Sequence, residues 1–167
     1  YSRSELEELI AVALKNGLYI ISDEVYEKLI YNTGKHFSVA SLGGKIKKQT
    51  ITVNGVSKTY AMTGWRIGYT ASETKIAAIM SSIQSHTASN PNSIAQKAAL
   101  TALNGPQDCV QEMRRSLAER RNYAFARINE MPFLACVEPL GAFYLFVDVE
   151  STFPRKFKGI TIENSER

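Results

Sequence analysis

The sequence predicts an α/β fold with a second unit after it, and three observations carry that prediction. An amphipathic helix at residues 4–16 runs straight into a continuous apolar stretch, Leu18-Tyr19-Ile20-Ile21, of the kind parallel sheets bury. A β-branched run, Thr50-Ile51-Thr52-Val53, follows a long irregular segment and leads on to further strand and helix patterns. Asn104-Gly105-Pro106 is the clearest boundary signal in the 167 residues. Residues 1–104 are therefore expected to form one α/β unit, and residues 105–167 the start of another.

The elements follow in order. Ser4 is placed to cap the first helix, with Glu7 as capping-box partner and Leu6, Leu9, Ile10, Ala13 and Leu14 on one face. Gly17 stops it. The strand at 18–21 should be buried on both sides and gives way to polar Ser22-Asp23-Glu24. Residues 31–49, with Asn32, Gly34, Gly43, Gly44 and the lysine-rich 45–48, read as an exposed loop. Strands are expected at 50–54 and 67–71, then a helix over 72–84 with Ile76, Ile79, Met80 and Ile83 on one side. After a polar loop at 85–92, a helix runs from 92 to 103. A long helix to about 131 places Val110, Met113, Leu117, Ala124, Ile128 and Met131 on one face. Its arginines 114, 115, 120 and 121, with Glu112 and Glu119, read as a solvated face rather than a nucleic-acid patch. A last strand is expected over 142–149.

Composition narrows the function classes. With 44% hydrophobic and 22% charged residues the chain is globular, and its net charge of +4 is too small to argue for nucleic acid. Cys109 and Cys136 lack metal-type spacing, which points to free thiols in a reducing compartment and to no metal. No signal peptide or membrane-spanning run is evident, so a cytoplasmic protein is expected. The chain opens on Tyr1 and runs out in the polar residues 162–167, and is expected to be a piece of a longer protein.

The chemistry gathers around residues 54–69. Lys58 follows Ser57 and precedes Arg66 by eight positions. That arrangement suits an anion site, a Schiff base or an ordinary solvated lysine. Asp23 sits where the first strand ends, Tyr26 lies three residues further on, and ligands of α/β sheets bind beyond strand carboxyl ends. Together these offer what pyridoxal phosphate needs: an amine, a carboxylate for the ring nitrogen, a phenol for the ring oxygen, and a guanidinium with a hydroxyl for the phosphate. Singly, each has a plain alternative, as a turn cap, a packed phenol or a surface charge.

Two blocks sharpen the choice. Ile21-Ser22-Asp23-Glu24-Val25-Tyr26-Glu27 and the stretch from Val53 to Tyr69, with Ser57-Lys58 and Thr63-Gly64-Trp65-Arg66, resemble the signature segments of the class I/II aminotransferases, pyridoxal-phosphate enzymes of fold type I. Ser89-Asn90-Pro91-Asn92-Ser93-Ile94-Ala95-Gln96 and Glu138-Pro139-Leu140-Gly141-Ala142-Phe143-Tyr144 are also similar to family segments, and the likeness is strongest to the aspartate-aminotransferase-like branch. The resemblance implies a large domain with a mostly parallel sheet and helices on both faces, ending near residue 104, and the start of an α+β small domain. It implies Lys58 as Schiff-base lysine and proton shuttle, Asp23 at the pyridine nitrogen, Tyr26 at the ring oxygen, and Arg66 and Ser57 at the phosphate. Some relatives carry a second hydroxyl three residues before the lysine, where this chain has Gly55.

The implied reaction moves an amino group between an L-amino acid and a 2-oxo acid. A homodimer is also implied, with loop 85–92 near the partner's site. The family's upstream asparagine, phosphate turn and ring-stacking aromatic, and its downstream carboxylate-binding arginine, have no counterpart in these residues, so the piece alone is expected to be inactive. Two other functions use the same fold: a carbon–sulfur lyase, and the effector domain of a cofactor-binding transcription regulator.

Overall fold

A computed structural model describes residues 1–32 and 34–164. The polar stretch 162–167 thus lies partly outside the described residues, as does one position of the 31–49 segment.

Helix α1 (Arg3–Lys15) starts one residue earlier than the expected 4–16, and its cap lies two residues earlier. Ser2 is the cap, accepting from the Glu5 N–H, while Glu5 reaches back to the Ser2 N–H; the expected Ser4–Glu7 box is replaced by this one. Glu7 instead pairs with Arg3 at 2.8 Å. The same capping-box spacing occurs at 2/5 and 4/7, and the upstream copy wins because it leaves no preceding turn uncapped. At the other end Gly17 adopts φ +64°, and the Leu18 and Gly17 N–H groups donate back to the Ala13 and Leu14 carbonyls, closing the last turn. Leu6, Ile10 and Ala13 are buried with Val39 and Ile46. Each large apolar side chain hidden there stabilises by roughly 2 kcal/mol, against about 1 kcal/mol for a cap. The cap sets where α1 begins; the apolar face holds it.

Strand β1 (Ile20–Asp23) is shifted two residues from expectation and is not buried on both sides. Ile20 packs toward α1, while Ile21 is 73% exposed on the opposite face. β1 pairs in parallel with β2 (Thr50–Gly55), which pairs antiparallel with β3 (Gly68–Ala71), giving a mixed sheet of order β1-β2-β3. The α/β class is thus as expected, with the first two strands parallel.

The crossover between β1 and β2 is more structured than a loop. It contains a 3-10 turn at Val39–Ser41 and helix α2 (Gly44–Lys48), whose Ile46 is fully buried. Four lysine and glycine residues around one isoleucine hid a short amphipathic turn from the sequence reading. Buried Glu24 fixes this crossover to the end of β1. It accepts from Ser22 Oγ (2.9 Å), Ser38 Oγ (3.0 Å) and the Val39 N–H (3.3 Å), and meets His36 Nε2 at 3.0 Å.

After β2 come α3 (Val56–Thr59) and, beyond β3, α4 (Thr74–Thr87), α5 (Ser93–Asn104) and α6 (Asp108–Asn129). Val56, Ile67, Ala95 and Ala99 form a second cluster that seats α5 against α3. The apolar side of α4 meets nothing comparable: Ile79 and Ile83 are 60% and 58% exposed. Helix α6 departs most from its reading, because Arg121 is buried rather than solvated. The final strand is also shorter than expected. Only β5 (Val147–Asp148) is paired, with β4 (Ala135–Cys136), while β6 (Lys156–Phe157) and β7 (Ile160–Thr161) form a separate hairpin. Ala142 has φ +58°, which breaks the extended run and turns residues 143–146 away from any ladder. Among the described residues no helix is long and apolar enough to cross a membrane.

Glu24→Ala strips a buried hub of its acceptor and leaves several donors unmet. A loss of about 3 kcal/mol is expected, read as a lower urea midpoint.

Candidate functional site

Parallel pairing puts the carboxyl ends of β1 and β2 at one edge of the sheet, with Asp23 opposite Val53. Two residues past Val53, Gly55 closes the strand and α3 begins, so Lys58 stands one turn beyond that edge. Gly55 is extended, and space is what it provides: a Cβ there would lie 3.0 Å from the Ile67 carbonyl oxygen and 3.3 Å from Gly68 Cα. The close approach of β3 takes the room that a hydroxyl-bearing side chain would need.

Asp23, Tyr26 and Lys58 come together at this edge. One Asp23 oxygen accepts from the Val25 N–H at 3.1 Å and sets the turn that carries Tyr26. Lys58 Nζ lies 5.8 Å from the centre of the Tyr26 ring and 5.4 Å from that of Phe143. Among the described residues it has no hydrogen bond or ion pair, so its amine is held beside aromatic faces without being tied to a carboxylate. The Tyr26 hydroxyl meets the Tyr144 hydroxyl at 2.8 Å, and Phe143 stands edge-on to Tyr26 at 5.4 Å. Burial pushes the Tyr26 phenol up to about 12, helped by the Tyr144 hydrogen bond and the negative charge of Asp23.

Ser57 is half-buried beside Lys58 on α3. Arg66 is exposed, with left-handed backbone at φ +55°, and its Nη1 donates to the Thr63 carbonyl at 2.8 Å. Among the described residues it makes no hydrogen bond or ion pair to Asp23, Ser57 or Lys58. It lines a cleft with Trp65 and the start of α5, where Asn92 caps the helix by accepting from the Ile94 and Ala95 N–H groups. Glu24, Glu27 and His36 bring possible metal-ligand atoms within 4.8 Å of one another. Both Glu24 oxygens are already engaged by the crossover, so this group is a structural tie.

Two contributors escaped the sequence reading. Arg121, 3% exposed, donates to Glu138 Oε1 (2.7 Å), the Pro139 carbonyl (2.8 Å) and Asn32 Oδ1 (3.1 Å), with its guanidinium over the Tyr31 ring at 5.1 Å. The signal was present: Val110, Met113, Leu117, Ala124 and Ile128 leave a gap in the apolar stripe at 121, and a charge in that gap must be buried and paired. Tyr144 was hidden inside the expected strand.

A phenol whose folded value is raised stabilises the fold fully below its ordinary value of 10, and this contribution is lost as pH rises toward about 12. Alkaline titration with ring-labelled tyrosine should therefore show Tyr26 ionising above the ordinary phenol value of 10, with stability falling across that window.

The chain matches the family "Aminotransferase class I and II" over residues 1–163. It is 48% identical over 149 residues to an aspartate aminotransferase of Bacillus sp. (strain YM-2), covering 89% of this chain and 38% of that protein. It is 42% identical over 156 residues to an asparagine–oxo-acid transaminase of Streptococcus mutans, covering 93% and 40%. Among solved structures, an aspartate aminotransferase from Rhizobium meliloti superposes with a TM-score of 0.96 at 36% identity, over 99% of this chain and 42% of that one. An aromatic aminotransferase from Pyrococcus horikoshii OT3 gives 0.84 at 43% identity, over 88% and 39%. The chain thus spans about two fifths of the length of these relatives. A matched segment from end to end, with Asp23, Tyr26 and Lys58 at one sheet edge, leads to one conclusion: the chain belongs to the class I and II aminotransferases.

Proposed function

We propose that the protein of which these residues are part is a pyridoxal-phosphate-dependent aminotransferase of aspartate type, exchanging an amino group between an L-amino acid and a 2-oxo acid. The observation that carries this is the unpaired Lys58 amine beside Tyr26, at the edge that also presents Asp23. The donor set fits the cofactor: Asp23 keeps one carboxylate oxygen without a partner among the described residues, and Lys58 has no anion competing for it. When bound, pyridoxal phosphate supplies an aldehyde and an electron-withdrawing pyridine ring that acidifies the Cα–H of an attached amino acid.

The chain's own residues then divide the work. Asp23 holds a proton on the ring nitrogen. Tyr26 donates its hydroxyl hydrogen to the ring oxygen. The raised Tyr26 phenol suits a donor, since it keeps its proton throughout the neutral range. Ser57 and Arg66 would hold the phosphate, Arg66 once its guanidinium is free of the Thr63 carbonyl. Lys58 Nζ would anchor the cofactor until the amino group of a substrate displaces it, and the freed neutral amine would then be the base that takes up the Cα proton and gives it back.

In this reading residues 1–104 belong to the large cofactor-binding domain and 105–167 to the small one, and the protein is a cytoplasmic homodimer with residues 85–92 beside the partner's site, although 85–87 are the last turn of α4 and not loop as expected. The uncovered isoleucines of α4 favour a further covering surface, from the rest of the protein or a second copy. The aspartate type is favoured by the 48% identity to an aspartate aminotransferase.

The test is spectroscopic and catalytic. The full-length protein incubated with pyridoxal phosphate should develop the visible band of a lysine-linked cofactor, and Lys58→Ala should abolish it. Aspartate with 2-oxoglutarate should be turned over, with a loss of at least about 1,000-fold in the same variant. A band that survives Lys58→Ala overturns the assignment, and release of pyruvate and ammonia without a 2-oxo acid acceptor points instead to a lyase.

A further inference from the structure

The part of the site farthest from Lys58 in sequence is held by Arg121, which makes three side-chain hydrogen bonds. Residues 139–142 lie alongside 29–31: the Tyr31 N–H donates to the Leu140 carbonyl at 2.9 Å, the Ala142 N–H to the Leu29 carbonyl at 2.8 Å, and the Tyr31 hydroxyl to the Ala142 carbonyl. Gly141 bridges Ile30 so closely that a Cβ would meet the Leu29 oxygen at 3.1 Å. Arg121 closes the outer end of this junction, holding Pro139 and Glu138 from one strand of it and Asn32 from the other. Asn32 itself donates to Glu138 Oε1 at 3.0 Å, completing the ring.

Two residues beyond Ala142, the chain delivers Tyr144 to Tyr26. The Tyr144 ring is largely exposed, so no core contact places it. Its position is set by the backbone that precedes it, and by its contacts with Tyr26 at 5.9 Å and Phe143 at 5.0 Å between ring centres. The charged and titratable groups facing the Tyr26 ring and hydroxyl are Asp23 from its own turn, Lys58 from α3 and Tyr144 from this segment. Of these only Tyr144 bonds the hydroxyl that the proposed mechanism uses.

We infer that Tyr144 is a positioning residue for the Tyr26 hydroxyl, and that Arg121 acts on the site through it by fixing the register of residues 138–142 against 29–32. The inference deepens the proposed function and rests on that reading for its catalytic meaning, but the geometry it describes exists without cofactor. Without a ligand the Tyr26 hydroxyl donates its one hydrogen to Tyr144; when Tyr26 gives that hydrogen to a ligand, Tyr144 keeps its place by donating to the Tyr26 oxygen. Arg121, with its guanidinium saturated on two sides and its Nε without a partner among the described residues, touches neither ligand nor reacting atoms.

The test uses the full-length protein without cofactor, ring-labelled with tyrosine and titrated by NMR, with Tyr26→Phe assigning the Tyr26 signal. In Tyr144→Phe the Tyr26 midpoint should move down from about 12 toward the ordinary 10, because a contact that favours the protonated phenol is gone. Arg121→Lys should give a downward move of the same sense. The double variant should show no further move beyond Tyr144→Phe alone. Should Arg121→Lys fail to fold, Glu138→Gln weakens the same junction and takes its place in the cycle. An unchanged midpoint in Tyr144→Phe overturns the inference, and so do shifts that simply add in the double variant, since Arg121 would then reach Tyr26 by another route. None of these outcomes depends on the absorbance band, so the failure of the cofactor reading and the failure of this one are told apart.

Discussion

Everything at the site depends on β1 and β2 running in the same direction. Parallel pairing, with Ile20 opposite Thr50 and Asp23 opposite Val53, brings both carboxyl ends to one edge. Had the two strands been antiparallel, Asp23 and Lys58 would stand at opposite ends of the pair, separated by the length of a four-residue strand, about 13 Å. Parallel strands need a long crossover, and here residues 24–49 supply it. That explains why so much bonding is invested in Glu24. By tying His36, Ser38 and Val39 to the residue after Asp23, it fixes where the crossover leaves the sheet and so steadies the edge from which the site is built.

Around this edge the sequence was most legible where polarity changes abruptly. Asp23 and Lys58 each follow an apolar or β-branched run, and such transitions mark strand ends whatever the rest of the fold does. Tyr26 lies three residues beyond Asp23, and the turn that the Asp23 side chain sets carries it. The placement of Arg66 was less legible, because it lies in a left-handed turn that local pattern does not announce, and its side chain is engaged with Thr63. Pattern reading failed at Arg121 for a different reason. Five arginines in one helix look like a solvated surface, and only their phase against the apolar stripe separates the buried one from the rest. Its partners, Asn32 and Glu138, are distant in sequence and give no local signal.

Burial was misjudged in both directions by the same kind of argument. The run at 18–21 is apolar enough for a doubly covered strand, yet only one of its faces meets a helix among the described residues. The lysine-rich 45–48 looked like open loop, yet Ile46 between the lysines is fully buried. Periodicity tells which face of an element requires cover. It does not tell what supplies that cover, and Ile79 and Ile83 of α4 stay largely exposed among the described residues.

The junction of residues 29–32 with 139–142 has a kinetic consequence. Tyr31 and Ala142 are 111 positions apart, so their contact closes one of the longest loops in the chain, whereas β1, α2 and β2 are joined by far shorter ones. Loop closure grows costlier with length, and contacts between remote residues are the slow ones to form. The edge bearing Asp23 and Lys58 can assemble from its own neighbourhood, while the Tyr26–Tyr144 contact must wait for the whole intervening chain to fall into place. During synthesis, too, residues 20–58 leave the ribosome long before 139–144, so the lysine is exposed to solvent until the second half of the chain arrives to shelter it.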